Sequence, residues 1–289
     1  MTILLLVRHG RTTANATGIL AGRTPGVRLD ETGREQARAA GRRLAGVSLA
    51  ATVSSPMERC LETAQALGVA DIVVDEALAE VDYGEWSGRT LAELAREELW
   101  RIVQAHPSAA RFPGGESMVA MAQRAVAAVR ARQDRIADES GAEAAWVAVS
   151  HGDIIKAVLA DALGLHLDQF QRLVVNPASV SIIRYTPARP YVLTLNSTAG
   201  PIRDLLPAGP RPSDDAAVGG GAGPAAETDR DAAAATSRDR SAGLGRDGAP
   251  GARGDGAAGS RGDGAAGSRG DGAAADVGSE ARAGERSST

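Results

Sequence analysis

The apolar run Ile3-Leu4-Leu5-Leu6-Val7 ends abruptly in Arg8-His9-Gly10. Consecutive apolar residues without alternation describe a strand covered on both faces, which demands helices above and below its sheet. The rest of the first 200 residues is consistent with that demand. Residues 30–46 predict a helix, with Ala37, Ala40 and Leu44 on one stripe and Gly46 as its stop. Leu49–Ser54 predicts a strand, and Ser55-Pro56 opens the next helix with proline in its first turn. Ile72–Val74 predicts a short strand and residues 116–138 a long helix. Residues 145–149 predict a further strand, followed by a helix from about 153 to 163. Residues 179–185 and 191–195 predict a terminal hairpin. Strands alternating with helices imply an α/β fold, a three-layer α/β/α sandwich with a mostly parallel sheet.

The chain changes character near Pro201. From about 207 to 289 it is Gly, Ala, Asp, Arg and Ser, with "RGDGAAGS" beginning at Arg253 and Arg261 and starting again at Arg269. Such a stretch lacks the apolar surface to offset roughly 1–2 kcal/mol per residue of backbone entropy. A folded domain over 1–200 and a disordered tail over 207–289 are therefore expected, with the tail dispensable for activity. The Arg-Gly-Asp triplets follow from the repeat and need no adhesive function.

Composition excludes several classes. A formal net charge of −4 leaves no broad nucleic-acid footprint. Cys60 is the only cysteine, so there is no disulfide framework and no Cys-based metal site. No apolar run reaches the ~18 residues of a membrane span, and the first residues read as a strand rather than a leader. A soluble, cytoplasmic protein is expected. Neither a His-Glu-x-x-His pair nor a phosphate-binding Gly-x4-Gly-Lys loop occurs, so no metal and no cofactor is expected. Lys156 is the only lysine, which makes Arg the default cation and an isolated Arg uninformative.

The joint pattern is informative. In parallel sheets, ligands bind beyond the carboxyl ends of the strands. Those ends deliver Arg8 and His9, then Ser54-Ser55 with Arg59 one turn further on, then Ser150-His151-Gly152. Two of the four histidines thus end strands, each followed by a glycine that lets backbone N–H groups approach a ligand. His106 and His166 lack such a context. Two Arg and two His in one crevice form an oxyanion trap, and phosphate suits the planar fork of arginine.

The segment "LVRHGRTTAN" resembles the N-terminal signature of the histidine phosphatase superfamily, the phosphoglycerate mutase-like proteins. "LDETGREQARAAG", "SSPMERCLETA", "LAEVDYGEWSG", "FPGGES" and "VSHGDII" resemble further family segments in the family's order, spanning residues 3–185. The resemblance implies a phosphoglycerate mutase-like fold and His9 as a nucleophile that becomes phosphohistidine. Arg8, Arg59 and His151 would bind the phosphoryl oxygens, Gly152 would bring its backbone close, and Thr12 and Asn15 would add neutral donors. Glu80 matches the family's proton donor; Asp82, two residues on, is its rival, and Asp153 is a third acid beside the site. The glycolytic mutases carry an Arg directly after the acid and an adjacent Arg pair in the following insert. Here Val81 follows Glu80, and Arg89, Arg96, Arg101 and Arg111 are scattered. A phosphatase acting on a small phosphorylated metabolite is expected, with a phosphomutase or a non-catalytic phosphate-binding module as alternatives. Trp86, Trp100, Phe112 and Met118 are read as core rather than pocket. The terminal hairpin offers an edge through which a homodimer could form.

Overall fold

The computed structural model describes residues 1–199 and Gly219. All of them belong to one compact unit, Met1–Ser237. The expected tail, Gly219 excepted, lies outside the described residues.

Six strands form one sheet in the order β3-β2-β4-β1-β5-β6. They are β1 (Thr2–Arg8), β2 (Leu49–Ser54), β3 (Ile72–Val74), β4 (Ala144–Ser150), β5 (Val180–Tyr185) and β6 (Pro190–Ser197). β1, β2, β3 and β4 run parallel, while β5 and β6 are the antiparallel terminal hairpin. The apolar β1 run serves both faces, as its lack of alternation requires. Leu4 and Leu6 join one core cluster with Trp146 and Ala148; Leu5 and Val7 join another with Val147 and Val149. Each fully buried leucine contributes about 1.5–3 kcal/mol.

The helices are α1 (Thr13–Ala16), α2 (Glu31–Leu44), α3 (Glu58–Leu67), α4 (Leu91–Leu94), α5 (Glu98–Ala105), α6 (Met118–Ser140) and α7 (Gly152–Ala162). α2 starts where Asp30 accepts the Gly33 N–H at 2.7 Å and buries Ala37, Ala40 and Leu44. With α3 it covers the face of Leu5 and Val7, and α6 and α7 cover the face of Leu4 and Leu6. The three layers are those expected. No helix among the described residues is long and apolar enough to cross a membrane. Trp86, Phe112 and Met118 are buried in the core, with Trp100 stacked on Trp86 at its edge.

Two helix starts differ from expectation. Pro56 does not enter a helix: α3 begins at Glu58 behind an extended Met57. The Ser55 N–H is still engaged by the Val149 carbonyl at 2.9 Å, and the Ser55 hydroxyl accepts the Met57 N–H, so the chain stays tied to the sheet edge. The long helix begins at Met118 behind a Ser117 cap. Glu116 is drawn out of it by ion pairs with Arg23 and Arg124.

The Arg-His-Gly corner is seated by backbone. A Cβ on Gly10 would collide with the Gly33 carbonyl, and one on Gly33 with the Arg11 carbonyl. Gly33→Ala should therefore force the α2 start off the corner. The expected cost is about 2–3 kcal/mol, a fall of roughly 5–10 °C in Tm. An unchanged Tm in a thermal melt would show that this backbone contact yields freely.

Candidate active site

β2, β4 and β1 are adjacent in the sheet, so their carboxyl ends meet. The ladder carries on past the strands: the His9 N–H donates to the Ser150 carbonyl at 2.9 Å. His9 and His151 therefore face each other, ring centroids 5.3 Å apart and edge to face. One pocket is lined by His9, Thr12, Asn15, Arg59, Glu80 and Gly219, among others. Arg8, His151 and Gly152 are buried and do not line it; Arg8 reaches its lining residue Gly219 and His151 its lining residue Arg59.

Hydrogen bonds fix the two imidazoles differently. His9 Nδ1 lies 2.8 Å from the Gly10 carbonyl. A carbonyl only accepts, so Nδ1 carries the proton and Nε2 keeps its lone pair. Burial, followed by the charges of Arg59 and Arg8, holds His9 well below the usual histidine pKa, so it is neutral at pH 7. His151 Nδ1 lies 3.1 Å from Arg59 Nη2, which can only donate. His151 Nε2 then donates to the Ser55 hydroxyl at 2.7 Å. Burial and Arg59 keep this ring neutral too.

Arg59 is the second residue of α3, where one turn further in was expected, and also donates to the Gly22 carbonyl at 2.8 Å. Arg8 donates from Nη1 to the Val175 carbonyl at 2.8 Å and from Nη2 to the Gly219 carbonyl at 3.2 Å. Burial lowers its pKa to about 10, which leaves it charged at neutral pH.

Glu80 is almost fully buried, with Oε2 3.7 Å from His151 Nδ1. Burial first, and the carboxylate of Asp153 second, push its pKa up to about 7. The rival Asp82 is spent elsewhere: its side chain accepts the Gly84 N–H at 3.1 Å and shapes a turn. Asp153, in the first turn of α7, accepts from the Tyr83 hydroxyl at 2.8 Å and lies 3.6 Å from Lys156 Nζ. The one lysine of the chain is therefore a buried counter-charge.

Thr12 and Asn15 form a capping box on α1. The Thr12 hydroxyl donates to Asn15 Oδ1 at 2.9 Å, so Thr12 positions Asn15 and is not itself the expected free donor. The Asn15 amide nitrogen is the neutral donor of the pair left for the pocket. His106 and His166 are exposed, lie near Asp168 and do not line the pocket. Cys60 fills the core on α3, where burial raises its thiol to about 12.

Sequence reasoning missed the support of Glu80. Arg23 Nε and Arg124 Nη2 both donate to the Glu80 carbonyl, at 2.8 and 3.1 Å. Glu116 pairs with both arginines and accepts the Asp82 N–H at 2.9 Å. Glu116 is the acid of "FPGGES", a segment noted above without a role for that carboxylate. Sequence reasoning placed Ser55 at a strand end but gave it no role; the Ser55 hydroxyl holds His151 Nε2. Among the described residues no three His, Cys, Asp or Glu converge as a metal site.

Residues 4–198 match the family model of the histidine phosphatase superfamily (branch 1). The chain is 40% identical over 193 residues to the bifunctional protein Rv2228c of Mycobacterium tuberculosis, covering 64% of this chain and 50% of that protein. It thus spans about half the length of that relative. An acid phosphatase of Mycobacterium tuberculosis is 33% identical over 181 residues, covering 62% of this chain and 84% of its own. The mycobacterial glucosyl-3-phosphoglycerate phosphatase Rv2419c, solved in complex with VO3, superimposes with a TM-score of 0.62 at 29% identity, over 68% of this chain and 99% of that one. Sheet order, the paired histidines at neighbouring strand ends and the family match agree: the chain belongs to the histidine phosphatase superfamily.

Proposed function

We propose that this chain hydrolyses a small phosphomonoester through a phosphohistidine on His9. The observation that carries the reading is the bond from His9 Nδ1 to the Gly10 carbonyl, which leaves a neutral, lone-pair-bearing Nε2 in a pocket shared with Arg59 and Glu80. His9 Nε2 attacks phosphorus, the N–P bond forms and the P–O ester bond breaks. The departing alkoxide takes the proton of Glu80, which a pKa of about 7 keeps on the carboxyl in a large part of the molecules at neutral pH. Water then attacks phosphorus, gives its proton to the Glu80 carboxylate and displaces His9.

Arg8, Arg59 and Asn15 supply N–H groups to the phosphoryl oxygens as charge spreads over them. His151 joins them by a tautomer change. Once an anion takes the Arg59 donors, the Ser55 hydroxyl can donate to His151 Nε2, and Nδ1 then carries the proton. Gly152 opens α7, an eleven-residue helix whose positive end favours the same anion. The phosphatase reading is preferred to a mutase because Val81 follows the acid and Arg89, Arg96, Arg101 and Arg111 are scattered, without the adjacent arginine pair that would retain a doubly phosphorylated intermediate.

Phosphate release from a panel of small phosphomonoesters, with chelator present, tests the reading. Release undiminished by chelator is expected for at least one ester. Conversion of phosphoglycerates into positional isomers with little release would replace the phosphatase by a phosphomutase.

A further inference from the structure

Gly219 lies 22 residues after the last strand ends at Ser197, yet it lines the pocket beside His9 and Arg59. Its carbonyl accepts from Arg8 Nη2 at 3.2 Å, and its N–H donates to Asp153 Oδ2 at 3.2 Å. The backbone of one residue thus answers a cation and an anion at once. The position also needs glycine. Its φ is +73°, and an added Cβ would come within 2.9 Å of Leu20 Cδ1. The space in the pocket open to the centre of a water-sized sphere is ≈ 20 Å³, room for about one water.

We propose that the Gly219 peptide is a built-in competitor that occupies the phosphate pocket and must leave before substrate binds. This rests on the pocket being the phosphate site, as argued above. The carbonyl oxygen takes an Arg8 donor as a phosphoryl oxygen would. The N–H satisfies the Asp153 carboxylate, which a phosphate dianion could only repel. A neutral peptide therefore suits the empty site, and an anionic substrate displaces it by virtue of Arg8 and Arg59. Gly219 is then inhibitory, where the sequence reading expected the tail to have no effect on activity.

The test is calorimetric titration of inorganic phosphate into the full chain, comparing wild type, Gly219→Val and a deletion of residues 217–221. Valine at 219 combines the contact with Leu20 and an unfavourable φ, so it displaces residue 219 from this position. Both variants should bind phosphate about tenfold more tightly, as expected when the hydrogen bonds from Gly219 to Arg8 and Asp153 are lost. KM for p-nitrophenyl phosphate should fall by a similar factor with kcat undiminished. Equal binding in all three proteins overturns the proposal. Weaker binding with reduced kcat also overturns it, and makes Gly219 a wall of the productive site. Because binding is read without turnover, the two readings fail separately. Tighter phosphate in a protein that hydrolyses no ester removes the phosphatase alone, and normal hydrolysis with unchanged binding removes the competitor alone.

Discussion

Replacing His9 by alanine should lower phosphate release by at least about 10³-fold, the scale on which loss of a covalent nucleophile acts when the rest of the site remains. On the proposed reading Arg8, Arg59 and Asn15 would still bind the phosphoryl group in the variant. Residual turnover then comes from direct attack by water in an electrostatically prepared pocket. Binding should be affected far less than turnover, since the His9 ring presents a lone pair to the anion and no proton. Phosphate titration of the alanine variant should give an affinity within a few-fold of wild type. Stability should also change little, because His9 makes one side-chain hydrogen bond, at about 0.5–1.5 kcal/mol, and one edge contact with His151. A wild-type sample quenched during turnover with labelled ester should carry acid-labile, base-stable label on the protein, and the variant none. An alanine variant that keeps a tenth of wild-type turnover would remove the phosphohistidine from the mechanism.

The strands were legible because a strand buried on both faces writes itself as an uninterrupted apolar run. Leu49–Ser54 and Ile72–Val74 match the observed bounds, and the others fall within a residue or a few. Helix stops and caps were legible where they are local, as with Asp30 on the Gly33 N–H. Starts were misread where a distant partner outbids local preference. Pro56 is held out of α3 by the sheet edge, and Glu116 is drawn away from α6 by arginines 93 and 8 positions distant. The short α1 and α4 helices carry no hydrophobic period; their capping boxes on Thr12 and Thr90 define them.

The centre of the site was legible for a different reason. A strand end is an address, and Arg8-His9, Ser54-Ser55 and Ser150-His151 share one. Residues without such an address were not found. Arg23 and Arg124 converge on the Glu80 carbonyl from separate segments, in a chain where arginine is the common cation. The inward turn of Lys156 toward Asp153 depends on α7 being buried all round, which its neighbours in space decide. Gly219 had no signal at all, because one glycine among many in a low-complexity stretch looks like the rest.

Glu80→Gln should separate the two halves of the reaction. The profile of kcat/KM against pH reports groups of the free protein. The nucleophile must be unprotonated, and His9, held well below its usual value, sets an acid limb far under neutrality. The donor must be protonated, so activity should fall as pH rises through about 7, the pKa of Glu80. In the Gln variant that alkaline limb should vanish, with alkyl ester turnover lower by about 10²–10⁴-fold. p-Nitrophenyl phosphate releases p-nitrophenolate, which departs without a donated proton, so its first step should be nearly spared. Stopped-flow traces should then show a burst of about one nitrophenol per protein, followed by slow release, because the phosphohistidine lacks a base to activate water. Stability should move in the opposite direction. A carboxyl whose folded pKa is raised holds its proton more tightly folded than unfolded, so stability declines as pH rises from the ordinary 4.5 through about 7. Glutamine lacks that proton and that decline. The variant should match wild type near pH 4, where both side chains are neutral, and melt higher than wild type at pH 8. An alkaline limb that survives in the Gln variant would take the proton from Glu80 and leave Asp153 as the remaining buried acid beside the site.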